Sequence, residues 1–202
     1  MDDDQLFDLI AAQRRRIADG LESLTAEQWA RPSRCDGWTV QEVAGHLTAG
    51  WNISLPRFVL GLVRARGNFN RANARFGQAL GARPSAAIVA DLRANADHRF
   101  TPPGAGPEAP LSDCLVHAHD MFGPAGVDWA TDPEITVLVM DRAVAPSTAR
   151  ITGGRVAKEH ALRATDVEWS HEQPGRPLRQ GPVEQVLLAV FGRIPVEELE
   201  PA

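Results

Sequence analysis

Apolar residues at Leu6, Leu9, Ile10, Ile17 and Leu21 recur at helical spacing and predict an amphipathic helix over residues 4–22. Asp2, Asp3 and Asp4 supply an N-cap and favourable charge at its positive end. Thr25 to Trp29 reads as a short capped turn of helix, and Pro32, Ser33, Asp36 and Gly37 mark a loop. Thr39, with Glu42 three residues on, forms a capping-box pair. It opens a second helix that carries His46 through Trp51 and onward to about residue 63, kinked at Pro56. Gly67 to Gly81 reads as irregular or partly helical. Pro84-Ser85 opens a third helix with Ile88, Val89 and Leu92 on one face. After a Pro- and Gly-rich loop over 101–107, Ser112 caps a fourth helix carrying Asp113 and His117. Gly123-Pro124 interrupts it, and Asp132-Pro133 restarts the helical pattern through Val139 and Met140.

The character changes after Pro146. Ala149 to Thr152 and Ala161 to Trp169 alternate apolar and polar residues, the period of a strand, and Gly153-Gly154 lies between them. Gly181-Pro182 opens an apolar helix, Val183 to Phe191, closed by Gly192. The pattern predicts a mainly α protein: a four-helix bundle over 1–146 and a small α/β appendage over 147–202. The appendage is below the size that usually folds alone.

The 202 residues carry a formal charge of −5. With no basic stripe interleaved with aromatics, nucleic acid is not an expected partner. The cluster Arg14-Arg15-Arg16 reads as a solvated helix face. No apolar run is long enough to cross a membrane, and the acidic start is unlike a secretory leader, so the cytoplasm is expected. Cys35 and Cys114 form no CxxC and read as two small buried hydrophobes, although Arg34 adjoins Cys35.

Candidate chemistry rests on histidines. Asp113 and His117 are four residues apart and share one helical face. With His46 from another helix they would form an open three-ligand metal site, as bundles build from inward-facing side chains. Such donors suit zinc, nickel or another divalent transition metal, and the residues do not choose among them. Asp120, one turn past His117, is placed to accept a hydrogen bond from a ligand histidine or bound water. His119 points elsewhere and reads as a surface or packing residue, while Trp38 and Trp51 read as core.

The chain resembles the mycothiol-dependent maleylpyruvate isomerase family, a branch of the DinB-like four-helix bundles. The resemblance rests on Cys35-Asp36-Gly37-Trp38-Thr39-Val40 through Gly45-His46-Leu47, on Phe69 to Arg75, and on Leu115 to Met121. Leu162 to Ser170 and Gly181-Pro182 through Gly192-Arg193 also match. It implies a divalent metal, zinc foremost, held by His46, Asp113 and His117. The isomerase itself has glutamate at the acid position, so the shorter Asp113 must bring its carboxylate closer from the backbone. The resemblance further implies mycothiol as cofactor and hence an actinobacterial cytoplasm. Arg193 and Arg71, within matching segments, become candidates for binding the thiol or the substrate.

The implied activity is that of a mycothiol-dependent transferase or isomerase acting on a small electrophile. A coordinated thiol would lose its proton near neutral pH and serve as nucleophile. No Ser-centred elbow competes, and no catalytic residue beyond the metal ligands is assigned. The alternatives are a non-catalytic, small-molecule-binding or stress-associated bundle, and a hydrolase using metal-bound water. Many bundles of this type pair as homodimers, but nothing in the sequence demands it.

Overall fold

The computed structural model describes residues 1–102, 104–145 and 155–201. Packing divides the chain into two compact units, Met1–Trp129 and Ala130–Ala202. The sequence boundary at 146/147 marks a change of composition, whereas packing groups the helix at 133–144 with the C-terminal elements.

The first unit is a helical bundle. Helix α1 (Asp3–Glu22) starts at a reciprocal cap, in which Asp2 Oδ1 accepts from the Gln5 N–H and Gln5 Oε1 accepts from the Asp2 N–H. Thr25 and Gln28 repeat the device at α2 (Ala26–Ala30), and Thr39 with Glu42 at α3 (Val40–His46). The long second helix expected from the sequence is instead three: α3, α4 (Ala49–Asn52) and α5 (Leu55–Arg64). Pro56 therefore does not kink a continuous helix; it stands in the first turn of α5, where a missing N–H costs little. The passage read as partly irregular is α6 (Phe69–Gly81), capped by Asn68, and α7 (Ser85–Ala94) follows.

Helix α8 (Glu108–Ala125) begins four residues before Ser112, whose hydroxyl donates to the Glu108 carbonyl. Pro124 sits in its last turn, and Gly126 ends it at φ 76, a left-handed conformation open to glycine without steric cost. Helix α1 packs on α7 and α8, and α3 packs on α6 and α8. Ile10, Ile17, Leu21, Leu92, Leu115 and Phe122 lie fully buried among them.

One charged residue departs from expectation. Arg14 does not join a solvated face: it is 4% exposed. Its guanidinium donates to the Ala96 and His98 carbonyls and stacks over Trp51. A long basic side chain buries its stem readily once such acceptors receive its N–H hydrogen bonds.

The second unit contains α9 (Pro133–Val144), α10 (Arg155–Glu159) and α11 (Val183–Val190) around a small sheet. Its strands are β1 (Ala161–Ala164), β2 (Ser170–His171), β3 (Leu178–Gly181) and β4 (Glu200–Pro201), in the order β2-β1-β3-β4. The β1–β3 pair is parallel, with Leu162 opposite Arg179, and the outer pairs are antiparallel. Helix α11 packs on α9 and β1. Strand character expected at Ala149 to Thr152, and the turn at Gly153-Gly154, lie outside the described residues. No described helix is long and apolar enough to cross a membrane.

Candidate metal centre

The Thr39 cap fixes where α3 begins and so where His46 falls, on its last turn. The thirteen-residue run from Asp113 to Ala125 is unbroken helix, so Asp113, His117 and Asp120 stand one turn apart along α8. Packing of α3 on α8 brings the two sets together. His46 Nε2 lies 3.8 Å from Asp113 Oδ2, and His117 Nε2 lies 3.9 Å from Asp113 Oδ1. The imidazoles meet edge to face with centroids 5.1 Å apart. One ligand atom from each of the three residues lies within 4.8 Å of the others.

The back of the site is buried and its front is open. The His46 and His117 side chains are 11% and 12% exposed, whereas Asp113 is 55% exposed. Behind His117, Asp120 is fully buried, and its Oδ2 accepts from Nδ1 at 2.8 Å. That bond sets the ring so that Nε2 faces Asp113, as a second-layer carboxylate does for a ligand histidine. Trp38 packs against His46 at 5.4 Å between centroids, and His46 Nδ1 is buried without a hydrogen-bond partner in the described structure.

Two imidazole nitrogens and a carboxylate suit a divalent cation such as zinc. Around a tetrahedral zinc, ligand atoms stand about 3.4 Å apart, and the two separations of 3.8 and 3.9 Å between Asp113 and the histidines lie close to that. The residues present therefore fit a metal ion, and the shorter acid reaches both histidines.

The histidines titrate in opposite directions. Burial pushes His46 down to about 4, helped by the neighbouring His117 charge and opposed by Asp113. Burial also acts downward on His117, but hydrogen bonds to Asp120 and Cys35 and the charge of Asp113 outweigh it and raise this residue to about 10. Metal-free, the pocket thus holds a positive charge on His117 and keeps His46 neutral.

A pH dependence of stability follows for metal-free protein. Native His46 stays neutral while the unfolded imidazole takes a proton near 6.5. Its contribution is complete above pH 6.5 and is lost as pH falls through 4, whereas that of His117 is complete below 6.5 and is lost as pH rises through 10. Urea unfolding of chelator-treated protein at pH 7 and pH 4.5 should show wild type losing on the order of 2 kcal/mol more than His46→Ala. Equal losses would remove His46 as the acid-sensitive group.

The other sequence candidates are placed less tellingly. Arg71 is exposed in the first turn of α6, where its backbone N–H donates to the Asn68 cap. Arg193 belongs to the second unit, and its guanidinium donates to the Phe191 carbonyl at the end of α11. His119 is buried. Cys114 is buried as expected, and burial raises its thiol to about 12.

Cys35 reads from sequence as a small buried hydrophobe, but in the structure it has polar partners. It is half-buried, with Sγ 3.1 Å from Asp120 Oδ2 and 3.7 Å from His117 Nδ1. The signal available was its place in the loop leading into the His46 helix, four residues before the Thr39 cap. Thiol and carboxylate address the same nitrogen of His117. A nucleophile-base-acid relay needs them on opposite ring nitrogens, so this cluster is not one.

Residues 10–122 match the family model of the mycothiol maleylpyruvate isomerase N-terminal domain. The chain belongs to this family. No curated protein sequence matches it. A crystal structure of the mycothiol-dependent maleylpyruvate isomerase is similar over 100% of this chain and 93% of its own, with a TM-score of 0.67 at 13% identity. A histidine-to-alanine mutant of that isomerase covers the same shares with a TM-score of 0.62 at 12% identity. At such identity the likeness speaks for the fold, a DinB-like helical bundle with a small α/β part. The family model covers both His46 and His117.

Proposed function

We propose that this protein is a divalent-metal- and mycothiol-dependent isomerase or transferase acting on a small electrophile. His46, Asp113 and His117 hold the metal, for which zinc is the first candidate. The observation that carries this reading is the convergence of two histidine Nε2 atoms on the Asp113 carboxylate, with the His117 ring fixed from behind by buried Asp120. Family membership supports the thiol, and the similar solved structures are of a mycothiol-dependent isomerase.

A bound divalent ion supplies Lewis acidity that lowers the pKa of a coordinated thiol to neutral pH. The chain's own residues do the rest. His46 stays neutral and keeps a lone pair available down to acid pH. Asp120 accepts a hydrogen bond from His117 Nδ1–H and so leaves Nε2 facing the open side. Asp113, the exposed member, faces that open side, where a thiol and an electrophile can enter. Arg71 is proposed to meet a carboxylate of the substrate or the polar oxygens of the thiol. We infer from the proposed use of mycothiol that the protein works in an actinobacterial cytoplasm.

Thermal shift and turnover measured together test this reading. Zinc at about a hundred times its Kd should stabilise the chelator-treated protein by about 2.7 kcal/mol, a rise of roughly 5–10 °C. Mycothiol should add a further rise only in the metal-loaded protein. Maleylpyruvate is the first electrophile to offer. Metal-dependent turnover that proceeds equally without any thiol would make the protein a hydrolase. Binding of neither metal nor mycothiol would leave a non-catalytic bundle.

A further inference from the structure

The proposed function gives Cys35 no task, yet the structure places it with care. Its backbone N–H donates to Ser33 Oγ at 3.1 Å, and the Trp38 N–H donates to the Cys35 carbonyl at 3.0 Å. The Arg34 N–H donates to the Asp120 carbonyl at 3.0 Å, which staples this loop to α8 at the residue the thiol reaches. Asp120 is fully buried, and a buried carboxylate must be met by donors. Its Oδ2 takes one from His117 Nδ1 at 2.8 Å and one from Cys35 Sγ at 3.1 Å. A carboxylate oxygen held from two directions cannot swing without breaking a bond. Trp38, from the same loop, abuts His46. One loop therefore backs both histidines.

We propose that Cys35 is a positioning residue of the metal centre: its thiol donates to Asp120 Oδ2 and fixes the carboxylate that aims His117 Nε2 at the open side. This rests on the metal-binding reading above. It assigns the thiol no bond to substrate and no redox step. Serine in its place keeps a donor, whereas alanine and valine do not, and valine also fills the space.

Two measurements test the proposal. The first is the imidazole NMR signal of His117 Nδ1–H in metal-free, ¹⁵N-histidine-labelled protein. The second is zinc affinity by competition with a chromophoric chelator. Cys35→Ala and Cys35→Val should shift or broaden the His117 signal and weaken zinc binding about 3–10-fold, below the 10–100-fold usual for a ligand's direct outer partner. Cys35→Ser should restore the signal and bind zinc within about twofold of wild type, since a hydroxyl is a stronger donor than a thiol. The proposal is overturned if Cys35→Ala leaves the His117 signal unmoved, or if Cys35→Ser falls as far as Cys35→Ala. Should no variant and no wild-type sample bind zinc, the metal-binding reading fails, while the signal from metal-free protein still decides whether Cys35 holds Asp120.

Discussion

His117→Ala is expected to cost this protein both its metal and a large part of its stability, whereas His46→Ala should cost the metal and a smaller part of the stability. Each imidazole offers Nε2 to the same opening beside Asp113. Loss of either donor should weaken metal binding beyond the 10–100-fold that outer-partner losses cause, and turnover should disappear with it. The two differ behind the ring. His117 Nδ1 is bonded to an Asp120 side chain with no exposure, and the pair is worth a raised His117 pKa of about 10. Alanine there leaves the buried carboxylate without its cationic partner, a loss of about 3–5 kcal/mol. His46 Nδ1 has no such partner, so its truncation costs packing against Trp38 and His117, about 1–3 kcal/mol. Chelator competition and thermal melts of the two variants, side by side, check both halves. Equal melting temperatures would show that Asp120 does not depend on His117, and full zinc affinity in either variant would place the metal elsewhere.

The geometry of the candidate site is legible in the sequence where it depends on position within one helix. Asp113, His117 and Asp120 follow from i,i+3 and i,i+4 spacing, and the Thr39 cap locates His46. What spacing cannot supply is a contact made by a loop. Cys35 reaches Asp120 across 85 residues of sequence, and a half-buried thiol reads like any small apolar residue until its partner is seen. Arg14 departs from its expected solvated face for the same reason. Three arginines in a row suggest a solvated face, but the acceptors that take this guanidinium are carbonyls beyond α7. Breaks in helical pattern were also uneven guides. Pro56 starts a helix rather than bending one, because proline suits a first turn, and Gly67 precedes a full helix rather than an irregular passage.

Gly45→Ala is expected to be among the most damaging single-methyl changes in the bundle, and to damage the metal centre with it. A Cβ at Gly45 would stand 2.7 Å from both Gly81 Cα and the Leu80 carbonyl carbon, and closer still to the Gly81 nitrogen. A Cβ at Gly81 would stand 2.6 Å from Glu42 Cα. The two helices α3 and α6 thus meet backbone to backbone through a pair of glycines. No side chain can rotate aside to admit a methyl group, so the helices must separate. Overpacking costs about 1–3 kcal/mol where side chains can adjust, and this contact should reach the top of that range or exceed it. For a chain of this size about 3 kcal/mol corresponds to a fall in melting temperature of roughly 6–12 °C. Gly45 also directly precedes His46 on the last turn of α3, so a shift of that turn carries the imbedded imidazole away from Asp113. Zinc affinity should therefore fall in Gly45→Ala although no ligand has changed, and a melt and a chelator competition on the same sample measure both effects. A variant that melts like wild type and binds zinc as tightly would mean that α3 and α6 do not meet through these glycines.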